Sequence, residues 1–248
     1  MATVILQART GSTRLKGKAL LTINEKPMLW YSIETLKLSP VVNRIILAIP
    51  DKSQDDPLEE IAKQCGIECF RGSESHVLQR FYQASRVFPD LYYFRATGDN
   101  PILDYENPKR SLDFLVSNNF DYVAESNMPL GTVVECFTAE ALQRAFREGK
   151  SPEDIEHVTW YMKKSGTFKV GYLPAPKNFQ FPQLRLTVDY PQDFQRVKII
   201  IESLYKNRIP TFSEIISFCQ QEDNKFFPEI NEIVPNFAST QGIKDSNV

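Results

Sequence analysis

Apolar runs alternate with amphipathic segments along the first hundred residues, and this alternation constrains the fold more than any other feature of the sequence. The runs that predict short buried strands cover residues 3–6, 45–49, 67–70 and 91–94. Helical spacing lies between them, and one segment opens on a helix start with Asp56 as N-cap and Pro57 as first helical residue. The order β-α-β-α-β-α-β is typical of an α/β fold with a mostly parallel, doubly wound sheet. Ligands of such sheets bind at the carboxyl ends of the strands.

The second half of the chain is less regular but continues the mixture of strands and helices. Predicted strands cover residues 122–124, 132–137, 168–173 and 184–188. Predicted helices cover residues 108–117, 191–205 and 212–221, and a further one begins at Ser151. No repeat or Pro/Gly/Ser-rich linker divides the chain, so we expect a single domain over residues 1–237. Residues 238–248 hold few large apolar side chains and are expected to form a flexible tail.

The composition excludes several classes of protein. A chain of 248 residues with 42% hydrophobic and 24% charged residues can bury a core, which argues against a disordered chain or a disulfide-held scaffold. The net charge of -2 disfavours a binder of long nucleic acids. The four cysteines lack a C-x-x-C pair, which favours free thiols over zinc or disulfides. No apolar stretch approaches the roughly 20 residues that span a bilayer, and the N-terminus does not resemble a signal peptide, so we expect a cytoplasmic protein without a membrane partner.

The segment after the first predicted strand, residues 7–18, carries the strongest chemical signal. It contains four cations, two glycines and three hydroxyl residues but no acidic residue. Such a loop can wrap phosphates, because glycine lets the backbone approach closely while Arg and Lys neutralise charge. It is not a P-loop, since five residues separate Gly11 from Gly17 and Ala19 follows Lys18, and a G-x-G-x-x-G fingerprint is absent. The alternative interpretation is a solvated basic surface loop.

Ordered motifs over residues 3–205 resemble a known family. The first loop, Q-A-R-x-G-S-T-R-L-x-G-K-x-L, is similar to the opening of the cytidylyltransferases that make CMP-activated sugar acids, such as acylneuraminate and ketodeoxyoctonate cytidylyltransferases. The resemblance is closest to the branch called spore coat polysaccharide biosynthesis protein F. Further motifs that match this branch are Asp55-Asp56-Pro57, residues 70–73, 77–84 and 97–101, Glu156-His157-Val158-Thr159 and residues 184–193.

The resemblance implies both a fold and an activity. The fold would be a three-layer α/β/α, Rossmann-like sheet of the nucleotide-diphospho-sugar transferase type, with the sugar-side elements mainly in residues 120–190. The activity would be transfer of CMP from CTP to a sugar or sugar acid, with release of pyrophosphate and dependence on Mg2+, in bacterial surface polysaccharide biosynthesis. Members of the family often form homodimers, although the sequence shows no interface signal.

The resemblance also implies site residues, by their place in these motifs. The catalytic residues would be Arg14, Lys18, Asp99 and Asp189. The nucleotide-binding residues would be Gln7, Ala8, Arg9, Gly11, Ser12, Arg14, Lys18, Ser73, Arg80, Thr97 and Gly98. The sugar-binding residues would be Glu135, His157 and Arg185.

The predicted metal ligands are Asp99 and Asp189. Each follows a predicted strand, so in a parallel sheet both would lie at the edge where ligands bind. Two carboxylates there suit Mg2+, which takes a few carboxylates together with substrate phosphate oxygens and water. For either residue alone, ordinary turn chemistry beside a proline is the alternative. The metal role of the pair is therefore what the resemblance implies.

Other candidates keep a structural alternative. Arg80 and Gln79 lie on an amphipathic helix, where solvent-facing polar residues are equally expected. A structural histidine competes with the sugar-side role of His157. The branch reads Gly-x-Asp-x-Glu where Glu135 ends the motif, and Val133 replaces that Asp here, so the sequence allows an acceptor different from the usual one.

Two other functions compete with nucleotidyl transfer. A glycosyltransferase of the same fold would use a nucleotide sugar, but such enzymes commonly carry Asp-x-Asp at the metal turn, and here the turn reads Asp99-Asn100-Pro101. A non-catalytic nucleotide-binding protein would have no need of all four catalytic-type residues. The sequence therefore favours the transferase.

Overall fold

The computed structural model describes residues 2–221, and a seven-stranded sheet forms its centre. The strands are β1 (Ala2–Gln7), β2 (Thr22–Ile23), β3 (Lys26–Pro27), β4 (Val42–Pro50), β5 (Glu68–Gly72), β6 (Tyr92–Thr97), β7 (Tyr122–Ser126), β8 (Glu135–Thr138) and β9 (Val170–Pro174). The helices are α1 (Met28–Lys37), α2 (Asp56–Gln64), α3 (Val77–Val87), α4 (Asn107–Asn118), α5 (Ala139–Glu148), α6 (Pro152–Glu156), α7 (Trp160–Lys164), α8 (Pro191–Leu204) and α9 (Phe212–Gln221).

The sheet runs in the order β5-β4-β1-β6-β8-β7-β9, and β2 and β3 form a separate antiparallel hairpin. All neighbours in the sheet pair in parallel except β8, which runs antiparallel to both β6 and β7. The α/β fold with a mostly parallel sheet is therefore confirmed. The reversal of β8 has a functional consequence, because the start of this strand lies at the carboxyl end of β6.

Helices cover both faces of the sheet. Successive strand side chains point to opposite faces, so Val4 and Leu6 pack against α1, α2 and α4, whereas Ile5 packs in a second cluster with α3 and α5. This division produces the predicted three-layer α/β/α arrangement. A third cluster joins α8 and α9 to the apolar residues Leu184, Leu186 and Val188.

The strand predicted over residues 184–188 does not form. The segment makes only an isolated bridge between Arg185 and Leu130. The amides of Leu186 and Thr187 both donate to the Leu130 carbonyl, at 2.9 and 3.1 Å, and the Val188 amide donates to the Asp99 carbonyl at 2.9 Å. The apolar alternation that suggested a strand instead reflects burial against α8 and α9. A loop, and not a strand, therefore carries the chain into residue 189.

Two further features concern the cysteines and the helices. All four cysteines are free thiols, three of them buried. Within residues 2–221, no helix combines the length and the apolar character needed to cross a membrane. The expected flexible tail, residues 238–248, and the end of the expected domain, residues 222–237, lie outside the described residues.

Candidate active site

The first loop folds around Thr10. Its carbonyl oxygen accepts hydrogen bonds from the Ser12 amide at 2.8 Å and the Gly17 amide at 3.1 Å. Gly17 has a φ of 61°, in the left-handed region that glycine adopts without strain. These bonds close the loop that follows β1, and they bring Lys18 back towards the strand ends.

Asp55 ties this loop to the start of α2. Its Oδ1 atom accepts from the Thr10 amide at 2.7 Å and from the Thr10 hydroxyl at 2.9 Å. The sequence predicted Asp56 as the N-cap of α2, but Asp55 occupies that position and its side chain binds the loop instead of its own helix. The exposed Asp56 pairs with Arg71 at 2.6 Å. Asp55 is fully buried, and its Oδ2 atom has no hydrogen-bond partner within residues 2–221.

A single ammonium group joins the two carboxylates predicted as metal ligands. Lys18 Nζ donates to Asp99 Oδ2 at 2.8 Å, to Asp189 Oδ1 at 3.1 Å and to the carbonyl oxygen of Val188 at 2.8 Å. An ammonium group has three donors, so these bonds use all of them. Arg14 also contacts Asp189, so the structure brings together all four residues predicted as catalytic, at the carboxyl edge of β1 and β6.

Two arginines complete the surroundings of Asp189. Arg14 NH2 lies 3.5 Å from Asp189 Oδ1, and the Arg14 guanidinium lies 5.5 Å from the ring centroid of Tyr190. Arg185 NH2 donates to Asp189 Oδ2 at 2.6 Å. Burial by itself would raise the pKa of Asp189, but Lys18 and the two arginines outweigh burial and lower that pKa. Asp189 is therefore ionised at neutral pH.

Asp193, in the first turn of α8, fixes the backbone around this carboxylate. Its Oδ2 atom accepts from the amides of Asp189 and Tyr190, both at 3.0 Å. Its Oδ1 atom accepts from Arg185 Nε at 3.1 Å. Arg185, predicted to bind sugar, thus lies between Asp189 and Asp193 and is not among the side chains that contact Glu135. In this position it orients Asp189.

Four predicted nucleotide-binding residues line the ends of β1 and β6. The Gly98 amide donates to the Gln7 carbonyl at 2.8 Å, and a Cβ atom on Gly98 would lie 2.9 Å from the Cβ of Ala8. Thr97 Oγ1 accepts from the Asn100 side chain at 2.8 Å. These residues pack closely at the base of the first loop. In the loop itself, Arg9 and Gly11 are exposed and Ser12 is half-buried.

Ser73 and Arg80, the residues predicted near the base, contact each other at the start of α3. The Arg80 guanidinium donates to the Ser73 carbonyl, and Ser73 Oγ accepts from the His76 amide at 3.0 Å. Arg80 is 2% exposed, and its Nε atom has no partner in the part of the chain that the structure describes. Burial, with a contribution from Arg9, lowers the pKa of Arg80 to about 10, so its guanidinium stays charged at neutral pH.

Glu135 lies at the start of β8, opposite Arg95 of β6. Its carboxylate accepts from Arg95 at 2.7 Å, from Lys163 at 3.0 Å, from the Tyr122 hydroxyl at 2.5 Å and from Thr159 at 3.0 Å. Burial opposes ionisation, but Lys163 and Arg95 outweigh it and hold the pKa of Glu135 well below its usual range. The charge of this carboxylate is therefore neutralised inside the chain.

His157, the other predicted sugar-side residue, ends α6 two positions before Thr159. It is exposed, and its ring centroid lies 6.2 Å from that of Trp160. Thr159 binds Glu135, so the turn between α6 and α7, which contains both His157 and Thr159, lies close to Glu135.

The roles of three residues in the site could not be predicted from the sequence. Arg95 also donates to the Gln7 side chain at 3.3 Å, and so links the nucleotide side to Glu135. Its signal was a single charge inside the strand sequence YYFRAT. Asp55 was visible only as part of a helix start, and Lys163 carried no signal because its helix shows no motif.

The chain matches the model of one protein family, described as Cytidylyltransferase, over residues 3–230. An uncharacterized protein of Methanocaldococcus jannaschii is 41% identical over 77% of this chain and 79% of its own length. The spore coat polysaccharide biosynthesis protein SpsF of Bacillus subtilis is 33% identical over 86% of this chain and 91% of its own.

More distant matches agree with this assignment. The 3-deoxy-manno-octulosonate cytidylyltransferase of Alteromonas mediterranea is 27% identical over 54% of each chain. A solved cytidylyltransferase structure from Leptospira borgpetersenii superposes with a TM-score of 0.83 and 25% identity, over 92% of this chain and 97% of that one. The family model covers most of the chain, and the fold shared with the Leptospira structure accords with it. The chain belongs to the cytidylyltransferase family and is a nucleotidyltransferase.

Proposed function

We propose that this enzyme transfers CMP from CTP to a hydroxyl of a sugar or sugar acid, releases pyrophosphate and depends on Mg2+, in the synthesis of a surface polysaccharide. The observation that carries the proposal is the convergence of Lys18, Asp99 and Asp189 at the strand edge, directly below a loop rich in cations. The names of the relatives support the choice of nucleotide and of acceptor class, since they include a polysaccharide biosynthesis protein and an octulosonate cytidylyltransferase.

The donor set at this edge fits Mg2+. Within residues 2–221, no group of three His, Cys, Asp or Glu side chains could hold a metal ion. Mg2+ does not require one, because it commonly binds through one or two carboxylates and takes its other ligands from substrate phosphates and water. Asp99 and Asp189 both turn an oxygen towards the same cationic centre, the Lys18 ammonium, which marks the position as suited to a hard cation.

The residues of the chain act by binding, orienting and neutralising charge. Arg14 and Lys18 would hold the triphosphate, and Asp99 and Asp189 would hold Mg2+. The metal would supply charge neutralisation at the α-phosphate. The acceptor oxygen forms a bond to the α-phosphorus, and its hydroxyl proton passes to water. The bond from the α-phosphorus to the oxygen that bridges the α- and β-phosphates breaks, and pyrophosphate leaves with its charge balanced by the first loop. Reactions of this type depend chiefly on positioning and electrostatic stabilisation.

The acceptor would lie on the Glu135 side of the sheet. Glu135 is poorly suited to act as a general base, because its carboxylate oxygens already accept hydrogen bonds from two cations and two hydroxyl groups, which keep it ionised. Val133 packs against the apolar cluster that contains Leu184 and Val188, at the position where the branch carries an acidic residue. This side of the site therefore carries an apolar side chain where the motif that the sequence resembles has an acidic one, which favours an acceptor with fewer polar groups there.

A pyrophosphate-release assay tests the proposed function. The enzyme is incubated with Mg2+, each of the four nucleoside triphosphates and a panel of ulosonic acids, aldose 1-phosphates and neutral sugars. We expect release with CTP and at least one acceptor, and a loss of release in the Asp99→Asn variant. The matched control is Asp113→Asn, since the exposed Asp113 lies on the surface of α4.

Two results would contradict the proposal. One is the absence of both CTP binding and pyrophosphate release with every acceptor. The other is turnover of a nucleotide sugar without pyrophosphate, which would identify a glycosyltransferase. Nucleotide binding is measured by thermal shift, in which CTP at a hundredfold excess over Kd stabilises the native state by about 2.7 kcal/mol.

A further inference from the structure

We propose that Lys18 is a built-in counterion that occupies the metal position until nucleotide arrives, so that CTP and the divalent cation bind with positive cooperativity. The inference rests on the proposed metal role of Asp99 and Asp189. It goes beyond that role by giving Lys18 two successive sets of partners. In the first state its partners are the two carboxylates, and in the second they are phosphate oxygens.

Because the Lys18 ammonium has a limited number of N–H groups, it must change partners to bind a phosphate. The ammonium has three N–H groups, and all three point to oxygens of the chain, at 2.8, 2.8 and 3.1 Å. In this arrangement none is free for a phosphate oxygen. A lysine that contacts the triphosphate must therefore first give up at least one of these three oxygens.

The ammonium and a metal on the same oxygens would repel each other. Mg2+ binds oxygen at 2.0–2.1 Å and tolerates little departure from octahedral geometry, so its ligand oxygens must turn towards it. A second cation at hydrogen-bond distance from those oxygens would be repelled by the metal. Arg185 already binds Asp189 Oδ2, which leaves Oδ1 as the oxygen that faces the site, and Oδ1 is the atom that Lys18 contacts.

Lys18 is also placed to move. Its side chain is 14% exposed, so the protein does not enclose it completely. The flexible four-carbon stem of lysine can redirect its charge without backbone change. Arg14 belongs to the same loop and its side chain is 57% exposed, so both cations can be directed to one bound polyanion.

Binding of Mn2+ without nucleotide tests the inference, because Mn2+ is a paramagnetic substitute for Mg2+ whose free concentration can be followed by electron paramagnetic resonance. We compare the wild-type protein with Lys18→Met and with Lys16→Met. The exposed Lys16 lies in the same loop, so its variant removes the same charge without touching the carboxylates. We expect Lys18→Met to bind Mn2+ about tenfold or more tightly than the wild type, within the usual range of coupling between sites.

The outcomes separate the inference from the proposed function. Equal Mn2+ affinity in the wild type and in folded Lys18→Met, while the wild type binds CTP, would overturn the exchange and leave the transferase intact. Loss of CTP binding and of pyrophosphate release in the wild type would overturn the proposed function itself. Asp99→Asn in the Lys18→Met background should return Mn2+ binding to a low level, which locates the metal. Lys18→Gln repeats the comparison if Lys18→Met fails to fold by circular dichroism.

Discussion

Asp55 Oδ1 accepts two hydrogen bonds from Thr10, one from the backbone amide at 2.7 Å and one from the hydroxyl at 2.9 Å. Thr10 in turn accepts from the amides of Ser12 and Gly17. One buried carboxylate at the start of α2 therefore holds the conformation of the whole first loop. This loop carries the cations that would bind the triphosphate.

Replacement of Asp55 by Ala should weaken CTP binding without touching a ligand-binding side chain. The change removes two hydrogen bonds to a carboxylate, each worth about 1.5–3 kcal/mol, and leaves the Thr10 amide without its partner. A looser loop contributes less free energy to CTP binding. Each 1.4 kcal/mol of binding free energy lost in this way raises the Kd for CTP about tenfold. Isothermal titration with CTP measures the effect.

A neighbouring residue and a conservative change serve as controls for this prediction. Asp56→Ala removes an exposed carboxylate from the same helix turn and should leave CTP affinity nearly unchanged. Asp55→Asn retains an acceptor oxygen and should recover part of the affinity. Equal affinities in Asp55→Ala and Asp56→Ala would show that the loop does not depend on Asp55.

Replacement of Gly131 by Ala should damage stability and activity together. Gly131 has a φ of 92°, and an added Cβ atom would lie 2.6 Å from the Thr187 amide nitrogen. The segment that contains Thr187 leads directly into Asp189. We expect a loss of about 1–3 kcal/mol from this overpacking, in addition to the backbone strain, and a lower kcat because Asp189 is displaced.

The matched control for this change is Gly166→Ala. Gly166 also has a positive φ, 73°, but an added Cβ atom would meet nothing within 4 Å. It should cost only the strain of a left-handed residue, about 1–2 kcal/mol. Urea unfolding of the two variants measures the difference, and equal losses would show that contact with Thr187 is unimportant.

Replacement of Arg185 by Gln distinguishes a positioning role from a sugar contact. Arg185 binds Asp189 Oδ2 and Asp193, so its loss should leave Asp189 less well oriented and lower metal affinity about tenfold. The KM for the acceptor should change little. A raised acceptor KM with unchanged Mg2+ dependence would instead show that Arg185 binds sugar.

Replacement of Glu135 by Gln should destabilise the fold. The change leaves Arg95 and Lys163 without their shared carboxylate, and breaking such a buried ion pair costs about 3–5 kcal/mol. Glu140→Gln is the matched control, since the exposed Glu140 lies in the first turn of the following helix and should cost less than about 1 kcal/mol. Urea unfolding at neutral pH compares the two.

The stabilising effect of Glu135 should depend on pH in one direction. Its pKa in the folded chain is lowered, so its contribution is complete above the pKa of the unfolded chain, about 4.3, and is lost as the pH falls towards the folded value. The stability difference between wild type and Glu135→Gln should therefore be constant from pH 6 to 8 and shrink below about pH 4. A constant difference down to pH 3 would contradict this assignment.

The sheet could be predicted because its strands are buried on both faces and their helices carry start signals. The runs at 45–49 and 91–94 became β4 and β6, and Pro191 opens α8 as expected. The proximity of Lys18, Asp99 and Asp189 also followed, since the loops after β1 and β6 meet at one edge. The family motifs added Asp189 to this set.

Other parts of the site could not be predicted from local pattern. The alternation at Leu184, Leu186 and Val188 indicated a buried face correctly, but it could not show that the buried face packs on helices instead of a sheet. Asp55 carried a helix-start signal that concealed its bond to a loop 45 positions away. Such pairings depend on which loops the topology brings together, and no short-range pattern encodes that.

The Leu130 carbonyl accepts from the amides of both Leu186 and Thr187, so the loop before β8 and the loop before α8 share one acceptor. In a chimera of two members of the family, each segment of the chain comes from one parent. A crossover point between residues 131 and 184 would take these two loops from different parents and mismatch their contact. A chimera that keeps this contact therefore takes both loops from the same parent, even though more than fifty residues separate them.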